Sequence, residues 1–218
     1  MNKRVFSITA ACSFAMLVSV ASATTIAPGG AVLTNGTNAG LDPSLGGVVI
    51  ASNVTPFVGV DGFANVKFTG TLYANVVREL SGTLSFYYQI HNDATSLDAL
   101  ERFTNQDFSG FTTNVDYRTD AQAAIVGGSG LVGTIGSRFA TRSSTGAVVG
   151  FNFNAAGVPQ GADSYWHVIR TNATLYTDGS TALLNGGIAT VQTYAPLVPE
   201  PGSLALLGLG ALALRRRK

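Results

Sequence analysis

The chain has 218 residues, a formal charge of +1, one cysteine and a charged fraction of only 11%. Six of its thirteen cations are Lys3, Arg4 and the terminal run Arg215, Arg216, Arg217 and Lys218, so residues 24 to 214 hold seven cations against twelve acids, a net −5. An acidic span without clustered cations lacks the electrostatic footprint of a nucleic-acid binder. Once Cys12 is removed, disulfides, zinc–thiolate sites and cysteine nucleophiles are excluded too.

The N-terminus reads as a secretory signal. A basic start, Met1 to Arg4, precedes an apolar stretch from Val5 to Val20 and the small-x-small exit Ala21-Ser22-Ala23. That order is the mark of a cleavable export signal, with cleavage expected after Ala23. Ser7, Thr9, Ser13 and Ser19 make the stretch a poor permanent membrane helix. The expected divisions are a signal peptide over 1–23, one domain over 24–197 and a tail over 198–218. About 175 residues suffice for a single hydrophobic core.

In the domain, Val66, Phe68, Gly70, Leu72, Ala74 and Val76 occupy every second position, the period of a strand with one buried face. Ser81-Gly82 interrupts the pattern, which resumes with Leu84, Phe86, Tyr88 and Ile90. Two alternating runs around a short glycine turn predict a hairpin. Residues 48–60, 110–117, 147–154, 164–171 and 187–194 are also β-rich and punctuated by Gly, Asn, Asp or Ser. Ser96 to Arg102 reads as a short helix with Ser96 as its N-cap. The expectation is an all-β fold, an antiparallel sandwich or jelly roll.

Residues that carry chemistry are few. Gly128-x-Gly130-x-x-Gly133 matches a dinucleotide fingerprint, but no helical stripe follows it and no acid lies about 20 residues on, so it reads as a loop. His91 near Asp93 and Asp98 has the make-up of a general base with an acid partner, but no nucleophile motif accompanies it and it reads as a solvated edge residue; His167 is the second histidine. Glu79 and Glu101 each adjoin an arginine, Arg78 and Arg102, which suits ordinary surface charge. No cofactor is expected; calcium is the alternative kept open, through Asn92, Asp93, Asp98, Asp107, Asp116 and Asp120 as hard oxygen ligands. Trp166, Tyr165, Tyr87 and Tyr88 raise a sugar-stacking alternative, since neighbouring strand residues face opposite sides.

The tail begins with Val198-Pro199-Glu200-Pro201, continues as an apolar run from Gly202 to Leu214 and stops at Arg215 to Lys218. Thirteen residues span about 20 Å as a helix, against about 30 Å for a bilayer core, so the run suits transient anchoring. The four cations would stay cytoplasmic, which puts the domain outside and agrees with the N-terminal signal. Small polar motif, apolar run and basic stop together resemble the PEP-CTERM sorting signal of Gram-negative bacteria. The resemblance implies recognition of Pro199, Glu200 and Pro201 by exosortase, a membrane cysteine protease–transpeptidase, after signal peptidase has acted. The middle of the chain, which contains GTLSFYYQIHND, is similar over roughly residues 66 to 194 to the body of many PEP-CTERM proteins of no assigned activity, and that resemblance carries no catalytic residues to transfer. The resulting expectation is an exported, non-enzymatic protein of the cell surface or matrix, touching exopolysaccharide and held transiently in the inner membrane. A carbohydrate-binding module is the alternative, and a secreted hydrolase the third reading.

Overall fold

A computed structural model describes residues 23–120 and 132–198. Ala21, Gly128, Gly130, the triplet Pro199, Glu200 and Pro201, and the terminal cations lie outside the described residues, as do residues 1–22 of the expected signal peptide and the tail helix; Ala23 is described and buried.

Among the described residues twelve strands form: β1 (Thr24–Thr25), β2 (Ala31–Leu33), β3 (Val48–Val60), β4 (Val66–Arg78), β5 (Leu84–Asn92), β6 (Arg102–Asn105), β7 (Thr113–Arg118), β8 (Phe139–Arg142), β9 (Val149–Asn152), β10 (Trp166–Thr171), β11 (Tyr176–Asn185) and β12 (Gly187–Pro196). The only helical element among the described residues is a 3-10 turn over Pro43–Leu45. The strands join in one antiparallel sheet of order β1-β7-β10-β5-β4-β3-β12-β11-β6-β9-β8-β2, curled into a nearly closed barrel. The all-β expectation therefore holds, with continuous pairing where two separate sheets were expected. The link between β3 and β12 is narrow, a single pair of Val60 with Ile188.

The hairpin of β4 and β5 forms in the expected register, from Gly70 opposite Asn92 to Arg78 opposite Leu84. Phe68, Leu72, Ala74 and Val76 face inward together with Leu84, Phe86, Tyr88 and Ile90. They meet side chains of the opposite wall: Tyr88 packs on Phe103, and Phe103 stacks on Phe151 with ring centroids 5.1 Å apart. Each such side chain, fully buried, contributes about 1.5–3 kcal/mol. Close approach decides two glycines. A Cβ on Gly70 would lie 2.1 Å from the His91 carbonyl oxygen, and one on Gly59 would lie 2.1 Å from the Phe68 ring.

The expected helix over Ser96 to Arg102 does not form, because strand β4 takes its donors. Ser96 Oγ accepts from the Thr69 amide and donates to the Thr69 carbonyl. The Leu97 and Asp98 amides both donate to the Lys67 carbonyl. Arg102 begins β6.

Closure comes from the segment that carries β1 and β2. Thr24 and Thr25 pair with β7, residues 31–33 pair with β8, and Thr37 returns to bridge Arg118 at the end of β7. One stretch of chain thus touches both ends of the sheet order. Arg142, at the end of β8, fixes this crossing with its whole guanidinium: it donates to the carbonyls of Ile26, Phe108, Phe111 and Gly146 at 2.8–3.1 Å. The side chain is buried, and burial lowers its pKa from the usual value. Removing it strands several carbonyls in the interior, each of which costs free energy when unpaired. Arg142→Met is expected to lower unfolding stability by about 3 kcal/mol, with Arg142→Lys recovering only part, since an ammonium cannot span four acceptors held in a planar fork. Urea unfolding followed by far-UV circular dichroism measures both; an Arg142→Met curve superposing on the parent would refute the role.

Candidate functional site

Three groups of polar side chains are organised by the barrel. The first surrounds His91 on β5. Its Nδ1 lies 2.7 Å from Asp163 Oδ1, and its Nε2 lies 3.6 Å from Asp93 Oδ1. Asp93 in turn accepts from the Thr69 hydroxyl at 2.7 Å. Asp93 is therefore a neighbour as expected, while the tight partner is Asp163, 72 residues away, which spacing along the chain does not reveal. Asp98 contributes its carbonyl to Asn92 instead. The imidazole lies between two carboxylates and ties the turn after β5 to the segment before β10.

The second histidine, His167 on β10, is buried among rings: Phe103, Phe151, Phe153 and Tyr117 surround it at centroid distances of 4.9 to 5.8 Å. The Ser137 amide donates to its Nε2, so that nitrogen is an acceptor. Burial pulls its pKa down to about 3.

The third group lies on the outer face of β4, β5, β7 and β10. Trp166, Tyr87, Val77 and Val168 form a second apolar cluster there. The segment over residues 38–47 crosses this face, where Arg118 donates to the Leu45 carbonyl and Arg170 pairs with Asp42 at 2.7 Å. Asp120 takes Arg118 from the other side, with Nε to Oδ1 at 2.9 Å, and this pairing helps hold the Asp120 carboxyl below its usual range. Tyr87, Tyr88 and Trp166 are all at most 1% exposed, which removes the three as a sugar-stacking platform. A covered outer face is the reason: alternation placed Tyr87 and Tyr88 on opposite sides, and both sides are interior. Tyr165 is half-buried and stacks on Tyr117 at 5.3 Å.

Glu79 also departs from expectation. It follows β4, is 4% exposed, and neither carboxylate oxygen has a hydrogen-bond partner within bonding distance. Burial raises its pKa, opposed by Ser85 and by the charges of Arg170 and Arg118. Glu101 stays exposed and lines a cleft of about 570 Å³ with Asp61, Arg102, Asn185 and Ile188. Strand directions put Glu79 and Glu101 at opposite ends of the barrel, so they form no carboxylate pair. Of the acids considered as calcium ligands, Asp116 accepts from the Gly36 and Tyr117 amides and Asp120 is taken by Arg118. Among the described residues no group of three His, Cys, Asp or Glu is placed to hold a metal ion.

Beyond Pro196, the last residue of β12, comes the segment that decides the chain's destination. Residues 197–218 match the family model described as the PEP-CTERM protein-sorting motif. The chain carries a PEP-CTERM sorting tail. It is thus an exported protein that transits the membrane and is sorted through exosortase. No match was found among curated proteins or among solved structures.

The two buried groups give opposite pH signatures. His167 binds its proton more weakly when folded than when unfolded, so stability is lost as pH falls from about 6.5 towards 3, by up to about 1.4 kcal/mol per pH unit. His167→Gln, which retains an acceptor for Ser137, should flatten that slope in thermal melts; an unchanged slope would show that His167 is not its source. Glu79 has a folded pKa above the unfolded value, so its contribution is present at low pH and lost as pH rises through the folded pKa. The Tm of Glu79→Gln relative to the parent should therefore climb between pH 4 and pH 8, and a constant difference would contradict the raised pKa.

Proposed function

We propose that the protein is a non-enzymatic surface or matrix component, delivered by its N-terminal signal, parked in the inner membrane by residues 202–214 and handed to exosortase at Pro199-Glu200-Pro201. The observation that carries this reading is the sorting motif directly after the last strand of a closed barrel. The tail's apolar run is short for a lasting span, and its four cations act as a cytoplasmic stop. The barrel supports a role as a durable exported body. Its arginines at the seam and on the outer face engage carbonyls and aspartates of the same chain, and it holds together without cysteine, which leaves it indifferent to the redox state of its compartment. Exopolysaccharide is the partner this reading assigns to the delivered domain.

Replacing Pro199, Glu200 and Pro201 with alanine tests the delivery. The variant should accumulate as a membrane-retained form still bearing Lys218, while the parent is recovered as a species starting at Thr24 and shortened at its C-terminus. Intact mass of the membrane and medium fractions reads both; processing unaffected by the replacement would defeat the proposal.

A further inference from the structure

The end of the barrel from which the tail leaves differs from an ordinary solvated rim. Strand directions define that end: β3 starts there, β4 ends there, β5 starts there and β12 ends there. Its turn between β4 and β5 presents Leu80, 80% exposed, and the first residue of β3, Val48, is 68% exposed. Leu80 lies beside Gly46, with 3.8 Å between its Cδ1 and the Cβ position of that glycine, so the two form one edge. Across the mouth, the Leu197 amide donates to the Leu175 carbonyl, and both side chains stand out into solvent together with Val198. Tyr176, opposite Pro196, stacks edge-on against Tyr194, whose hydroxyl reaches the Ser52 carbonyl of β3. Apolar side chains thus stand out at this end on both the β3–β4 side and the β11–β12 side, with Tyr194 tying β12 to β3.

Tail length fixes how far this rim sits from the apolar run. Three residues, Pro199 to Pro201, separate Val198 from Gly202. Four Cα steps reach at most about 14 Å. If residues 202–214 enter a bilayer, Val198 is held within about 14 Å of the hydrocarbon boundary, which brings the exposed leucines, valines and tyrosine within reach of the headgroup layer. Tyrosine at the headgroup level is the ordinary membrane-interface arrangement, and isolated apolar side chains gain by leaving water. Arg78, exposed at the same end, is the cation nearest this rim along the chain.

We propose that the rim formed by Val48, Leu80, Leu175, Tyr176, Leu197 and Val198 docks on the lipid interface while the tail is in the membrane. This rests on the reading of residues 202–214 as the membrane segment. The occupant is the bilayer surface, and the docked rim presents Pro199-Glu200-Pro201 at the depth where a membrane-embedded peptidase takes its substrate. It also orients the barrel with its β3–β4 tip, where Phe63 is 90% exposed, pointing away from the membrane.

The test uses the full chain with Cys12→Ser, which leaves no native cysteine, and single replacements Leu80→Cys, Leu197→Cys, Phe63→Cys and Leu207→Cys carrying an environment-sensitive NBD dye. The proteins are reconstituted into phosphatidylethanolamine–phosphatidylglycerol vesicles. Dyes at positions 80 and 197 should shift to the blue and lose intensity to doxyl lipids, while the dye at 63 answers only to aqueous iodide. Quenching by lipid at 207 with none at 80 and 197 overturns the rim docking and leaves the membrane tail standing. Absence of lipid quenching at 207 overturns both. Blue-shifted dyes at 80 and 197 that doxyl lipids do not quench mean that protein covers the rim, which also overturns the proposal.

Discussion

The barrel depends on one buried cation. Arg142 gathers four carbonyls from three separate stretches of chain, at Ile26, Phe108 and Phe111, and Gly146. No carboxylate shares the site in that set of bonds, so its stabilisation is that of charge-assisted hydrogen bonds between a planar donor fork and fixed acceptors. The placement matters because β1 and β2 are only two and three residues long. Strands so short cannot close a twelve-stranded sheet on ladder bonds alone. With the guanidinium in place, the segment from Thr24 to Thr37 becomes the clasp that pairs with β8 on one side and β7 on the other.

Closure has consequences for the other polar groups. A sheet that curls back on itself has an interior wall, and its outer wall is free to take a second layer. Here the outer layer is the segment over residues 38–47, tied down by Arg118 and Arg170. It buries Glu79, Tyr87 and Trp166 on a face that a simple half-exposed sheet would leave wet. The interior wall meanwhile takes His167 into an aromatic cage, where the neutral imidazole is preferred. Both ionisable groups are thus displaced from their ordinary titration by the same event.

Much of the barrel was legible from spacing. The β4–β5 hairpin follows from period two and a glycine turn; β3, β9 and β10 fall within stretches read as β-rich, and β7 and β12 overlap such stretches and run one or two residues past them. Strands β6, β8 and β11 escaped because their partners, not their composition, make them strands: Arg102–Asn105 is paired on both sides, by β11 and β9. The same cause misled the reading of Ser96 as a helix cap, since a serine that caps a helix and one that completes a strand edge look alike until the edge is known. His91 shows the limit for the polar groups. Local sequence supplied Asp93, at 3.6 Å, and could not supply Asp163, at 2.7 Å.

Delivery and fold class are both written in local stretches of the chain. Sorting signals are short, contiguous and read by other machines in extended or membrane-bound form, so their chemistry is complete in Val198 to Lys218 without tertiary context. Period-two alternation likewise belongs to one strand at a time. Three features come from long-range packing instead: the sheet is continuous, both faces of β5 are interior, and exposed apolar residues from distant positions, Val48, Leu80, Leu175 and Leu197, share one end. Alternation states which side chains lie on the same side of a strand; it carries no information about what comes to cover that side. That is settled by closure, which brings together residues more than a hundred positions apart.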